Sequence, residues 1–146
     1  MRAGISFSLS AAPKEAEEIL ARLEEALEVL NDDKEEQAIE GDFFTGNLKD
    51  YPDWLREAFG RPELVAALER FCEFEPGELE DWDLESWYDD MFSCLAWDYK
   101  LRKRKDGRRE LLFQVEEEHY GGDMSHAWIL LAAGAADIRA LGVMKD

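Results

Sequence analysis

The chain opens on an alternation: Ile5, Phe7 and Leu9 are separated by Ser6, Ser8 and Ser10, the period of a half-buried strand. The period then lengthens to that of a helix. Across 13–30, Ala16, Ile19, Leu20, Leu23, Leu27 and Leu30 fall on one stripe, while Glu24, Glu25 and Glu28 point away from it. Pro13 suits a first turn, Glu15, Glu17 and Glu18 suit the positive end of the helix dipole, and Asn31-Asp32-Asp33 predicts the stop. Residues 38–44 read as a short strand, with Thr45-Gly46-Asn47 as a turn.

Two short helices follow. One presents Tyr51, Trp54, Leu55 and Ala58 on a face and stops at Gly60, read as the glycine just past a helix end. The next starts at Pro62 and carries Leu64, Val65, Leu68, Phe71 and Cys72, before Pro76-Gly77 breaks the chain. A further helix is predicted over 84–92, where Leu84, Trp87, Tyr88, Met91 and Phe92 share a face and Asp81 or Asp83 serves as N-cap.

At Leu95 the period returns to two, through Trp97, Tyr99 and Leu101 and later Leu111, Phe113 and Val115, with Lys105-Asp106-Gly107 between. A two-residue Asp-Gly turn would pair Tyr99 with Gln114 and mix the faces. A three-residue loop with Gly107 left-handed pairs Leu101 with Leu111, Tyr99 with Phe113 and Trp97 with Val115, and sets Arg102 opposite Glu110. That register predicts a hairpin near 95–117. Ser125 reads as the cap of a helix over 127–133 ended by Gly134, and 138–143 as a last strand or helical turn. The expectation is one α+β domain over 1–146, a small mixed or antiparallel sheet of three to four strands with helices packed on one face.

Composition sharpens this picture. With 46% apolar residues in 146, the chain can bury one core and is not a disordered acidic tail. Thirty-five acids against 17 bases give a net charge of −18, which disfavours direct contact with nucleic acid or an anionic membrane and favours a basic protein partner. The excess is localised: residues 1–93 hold 26 acids and 8 bases, residues 94–146 hold nine of each. No apolar run approaches the ~20 residues of a membrane span, and the alternating start lacks the apolar block of a secretory signal. Cys72 and Cys94 fall in apolar stripes and read as buried free thiols, so a reducing, cytoplasmic compartment is expected.

The richest candidate is 73–90, which contains nine acids and no base, interleaved with Trp82, Trp87 and Tyr88. The pattern points to a surface that captures a basic protein, with Glu78, Glu80, Asp81, Trp82, Asp83, Glu85, Asp89 and Asp90 as contact residues. Carboxylates so placed can stand in for phosphates, as an immunity-type or nucleic-acid-mimicking inhibitor requires. The plainer reading is a solvated loop and helix start whose aromatics face the core; only Trp82 falls outside an obvious core stripe. Glu17, Glu18, Glu24, Glu25, Glu28, Asp32, Asp33, Glu35 and Glu36 form a second acidic run with few bases to neutralise it.

The basic run Lys100, Arg102, Lys103, Arg104, Lys105, Arg108 and Arg109 reads as edge protection or internal pairing rather than a nucleic-acid patch. An alternative function, a metal-binding or hydrolytic site, would use Glu117, His119, Asp123 and His126, although their spacing matches no zinc pattern. A third reading gives the acidity a solubilising role only. No phosphate loop, dinucleotide fingerprint or nucleophile elbow is present, so no reaction is specified and no cofactor is expected. The oligomeric state is left open.

Overall fold

The serine-spaced start of the chain does form a strand, yet one buried on both faces rather than one. The computed structural model describes residues 1–46, 48–94, 96–116 and 123–144. Its elements are β1 (Arg2–Ser8), α1 (Pro13–Glu40), α2 (Asp53–Glu57), α3 (Pro62–Phe71), α4 (Leu84–Ser93), β2 (Ala96–Lys103), β3 (Arg109–Val115), α5 (Asp123–Ala133) and β4 (Ala136–Met144). The strands form one antiparallel sheet ordered β2-β3-β1-β4, which places β1 inside it. Without α2, α3 and α4 the connectivity is β-α-β-β-α-β, the split β-α-β or ferredoxin-like arrangement. Those three helices are a helical segment set between α1 and β2.

One face of the sheet makes the core. Ala3, Ile5, Phe7, Tyr99, Leu111, Phe113 and Val115 join the α1 stripe of Ile19, Leu23, Leu27 and Leu30, together with Trp128 and Ile129 of α5. The other face is ionic. Arg102 and Arg104 approach Glu110 at 2.6 and 3.5 Å, while Arg108 reaches Asp137 at 2.7 Å and the Ser6 hydroxyl at 2.9 Å. The expected α+β class, with helices on one face of a four-stranded sheet, is therefore what the chain adopts. Among the described residues no helix is long and apolar enough to cross a membrane.

Several local expectations are corrected. α1 runs through Asn31-Asp32-Asp33 to Glu40, because Asn31 and Asp33 have tertiary partners, Tyr99 and Tyr51, that a helix can serve. The spacing of Leu23, Leu27 and Leu30 continues in Lys34 and Gln37, which donate to the Met91, Cys94 and Phe92 carbonyls at 2.6, 2.9 and 2.9 Å and so cap the end of α4. The strand expected at 38–44 is instead the last turn of α1 and a 3-10 turn at Gly41–Phe43. Gly60 has no left-handed conformation, since the chain passes it in a 3-10 turn, Ala58–Gly60. Ser125 is not a cap but lies buried inside α5, two residues past its start. Asn47, Leu95, Lys145 and Asp146 lie outside the described residues.

The hairpin keeps the register expected near its loop, with Leu101 opposite Leu111, Arg102 opposite Glu110 and Gly107 left-handed at φ 89°. Further out it departs. Asp98 adopts φ 57° in an irregularity between Trp97 and Lys100, so Ala96 rather than Trp97 faces Val115, and Trp97 pairs with Gln114. β2 is a sheet edge, and α1 closes part of it: the Asn31 amide donates to the Tyr99 carbonyl at 2.9 Å, and its oxygen accepts the Tyr99 N–H at 2.8 Å. One side chain thus makes the pair of bonds a neighbouring strand would make. Asn31→Ala should lower stability by about 1–3 kcal/mol, because both backbone groups lose their partner; a urea midpoint matching wild type would show the pair to be dispensable.

A candidate partner-binding surface

The acidic segment 73–90 begins where α3 ends. Phe74 N–H donates to the Glu69 carbonyl at 2.8 Å and Glu73 N–H to the Arg70 carbonyl at 3.2 Å, with Glu73 left-handed at φ 58°. This is a helix-ending motif whose left-handed position favours glycine. A glutamate there is strained. Glu73→Gly should raise stability by about 1 kcal/mol in thermal melts, a gain forgone by keeping a carboxylate at this point.

The turn that follows is held from below by Glu69. Its buried carboxylate accepts the Gly77 N–H at 2.9 Å and the Leu79 N–H at 3.0 Å, fixing the chain around Pro76-Gly77. Nothing in the sequence distinguishes Glu69 from the acids around it, because its role depends on a turn eight to ten residues away. Asp83 then caps α4, accepting the Ser86 N–H at 2.9 Å, and that bond holds its carboxyl below the usual range. Of the two capping candidates, Asp83 is the one used.

The predicted contact residues divide by role. Glu78, Glu80, Asp81, Asp83, Glu85, Asp89 and Asp90 are all exposed, and among the described residues none of the nine acids of 73–90 is in an ion pair. Trp82 is half-buried. Its ring packs on Phe59 and, edge-on, against the fully buried Trp128, with centroids 5.5 and 5.6 Å away, while its indole N–H donates to Asp90 at 3.0 Å. It therefore fastens the acidic turn to α5 and to the outer side of α4. Trp87 lies in the core, as its stripe predicts: its N–H donates to the Ser125 carbonyl at 3.0 Å and its ring meets Tyr51 edge-on. The acids stand on a platform set by aromatic packing.

The second acidic run is also exposed, except for Asp33. Asp33 is buried and accepts the Tyr51 hydroxyl at 2.9 Å. Burial raises its carboxyl above the ordinary range; the Tyr51 bond opposes the shift, and Asp50, Glu36 and Asp32 add to it. A raised native value means that Asp33 contributes stability at acid pH and loses it as pH climbs through the native value. Asp33→Asn keeps an acceptor for Tyr51, so it should stabilise the protein at neutral pH. That gain should vanish in acid, where the carboxyl is protonated in both states; melts across the pH range check the crossover.

Of the four residues of the alternative site, Asp123 and His126 are among those described. His126 is fully buried in α5, stacked on Phe113 at 4.2 Å, with Nε2 2.8 Å from the Tyr99 hydroxyl. Asp123 is half-buried at the start of the same helix, and burial raises its carboxyl. Glu117 and His119 lie outside the described residues. Among those described, no group of three His, Cys, Asp or Glu side chains is placed to hold a metal. Cys72 is pushed up to about 11 by burial and the nearby Asp123, and burial likewise raises Cys94, so both half-buried thiols stay protonated at neutral pH.

No family model, curated protein or solved structure matches the chain. Four of the seven bases in the run 100–109 are paired locally, Lys100 with Asp98 and Arg102, Arg104 and Arg108 with Glu110, Asp106 and Asp137, all outside the acidic segment. Among the described residues no base forms an ion pair with the acids of 73–90, although Lys49 and Arg56 share a hollow with Asp83 and Glu85, so most of the segment's field is available to a partner.

Proposed function

We propose that this protein is a binding or inhibitory protein that captures a basic protein partner through the carboxylates of 73–90, in the manner of an immunity protein or a nucleic-acid-mimicking inhibitor. The observation that carries the reading is an exposed run of nine acids without a base, unpaired among the described residues, on a backbone fixed by Glu69, Asp83 and Trp82. A rigid, uncompensated array of like charges destabilises the free protein and attracts a cationic surface from a distance. A solubilising role would require no such rigidity.

The test is retention of host proteins at low salt followed by release in a salt gradient, with association rates then measured for the retained protein. A basic partner whose on-rate falls steeply as the screening length shrinks from ~30 to ~8 Å supports the reading. Association indifferent to salt would overturn it.

A further inference from the structure

Three of the large apolar side chains left most exposed cluster near one end of α1. Ile39 is 78% exposed, Phe43 is 87% exposed and Trp97 is 41% exposed. Between α1, the end of α4 and the start of β2 lies a groove of about 520 Å³, with Ala38, Gly41, Ala96 and Trp97 along it. Ile39 and Phe43 are the chain neighbours of the lining residues Ala38 and Asp42, while Trp97 itself lines the groove. A volume of this size accepts a large side chain, and exposed apolar surface beside such a groove marks a contact site.

The groove's charge selects the occupant. Asp42 and Glu116 line it, and Glu35, Glu36 and Glu40 are exposed on the last turns of α1. α1 is 28 residues long, has no base in its last turn, and ends here, so its negative dipole end adds to these carboxylates. The one base in the lining, Lys34, is buried with its ammonium already donating to Met91 and Cys94. A second copy of the chain would bring another net charge of −18 to the same place, which argues against self-association.

We infer that this groove is an apolar contact for the same basic partner: it receives a large apolar side chain flanked by Lys or Arg, whose cations lie against Asp42, Glu116 and the end of α1. The inference rests on the proposed capture of a basic protein and adds to it the side chain that gives specificity. Carboxylates at 73–90 accelerate encounter, and the groove holds what arrives.

The test uses two short Lys/Arg-rich synthetic peptides that differ only in a central Phe or Ala. Binding is followed at low salt by nuclear magnetic resonance, with the Trp97 indole N–H signal assigned through Trp97→Phe. The Phe peptide should bind about tenfold tighter or more, and it alone should shift the Trp97 signal. Trp97→Ser, a change at a half-exposed side chain that lines the groove, should bring the two affinities together. Neutralising the acids of 78–90 should weaken both peptides and leave their ratio intact. Equal binding of the two peptides with a stationary Trp97 signal overturns the groove and leaves acidic capture standing; absence of binding by either overturns both.

Discussion

Replacing Glu78, Glu80, Asp81, Glu85, Asp89 and Asp90 together by their amides should slow capture of the basic partner about 100-fold at low salt and raise the melting temperature of the free protein. The two effects have one cause. Like charges without counter-ions repel in the free protein, and the same charges draw in a cation. Asp83 is left out of the set because it caps α4, and Asn at position 90 still offers an oxygen to the Trp82 indole. The kinetic difference between variant and wild type should close near 1 M salt, where the screening length is ~3 Å. Rising stability with unchanged capture would instead mean that the acidity serves solubility alone. The opposition of stability and activity is itself a mark of a functional surface.

Trp87→Ala should cost about 3–5 kcal/mol, a large share of the ~5–15 kcal/mol that holds a typical domain. Trp87 is fully buried, packs edge-on against Tyr51 and ties α4 to α5 through the Ser125 carbonyl. Its loss leaves a cavity beneath the helix that carries Glu85, Asp89 and Asp90. Trp87→Phe keeps a ring in place but removes the second donor to a carbonyl that also serves the α5 helix, and should cost about 0.5–1.5 kcal/mol. Denaturant midpoints for the pair separate packing from the hydrogen bond. A loss under about 1 kcal/mol for the alanine variant would mean that the platform is held in some other way.

Local signals in the sequence carried a good part of this fold. The α1 stripe, the Asp83 cap and the Leu101–Leu111 register around Gly107 can each be read from neighbours a few residues apart. What escaped depends on distant partners. Asn31-Asp32-Asp33 looks like a helix stop until Tyr99 and Tyr51 are brought to Asn31 and Asp33, and the role of Lys34 appears only with Met91 beside it. Asp98 turns left-handed and rotates Trp97 off the inner face, which no alternation of apolar residues could reveal. α5 is buried on nearly all sides, so it lacks the periodicity that would have placed Ser125 and His126 inside it. The acids of the candidate surface were legible by composition. That Trp82 fastens them to α5, and that Glu69 shapes their turn, was not, since both roles arise only after folding.

The ionic face of the sheet has one more consequence. Of the 35 acids, 26 precede residue 94, while Arg102, Arg104, Arg108 and Arg139 belong to β2, β4 and the hairpin loop of the sheet. The negative excess lies in residues 1–93, whereas the sheet's arginines are balanced by Glu110, Asp106 and Asp137, so the charge of the molecule is lopsided and the sheet's outer face adds little to it. A cationic body approaching it exerts a torque as well as an attraction, turning the helices inward before contact. On the proposed capture of a basic partner, encounters would begin in an oriented state, with the arginine-bearing sheet left facing the solvent.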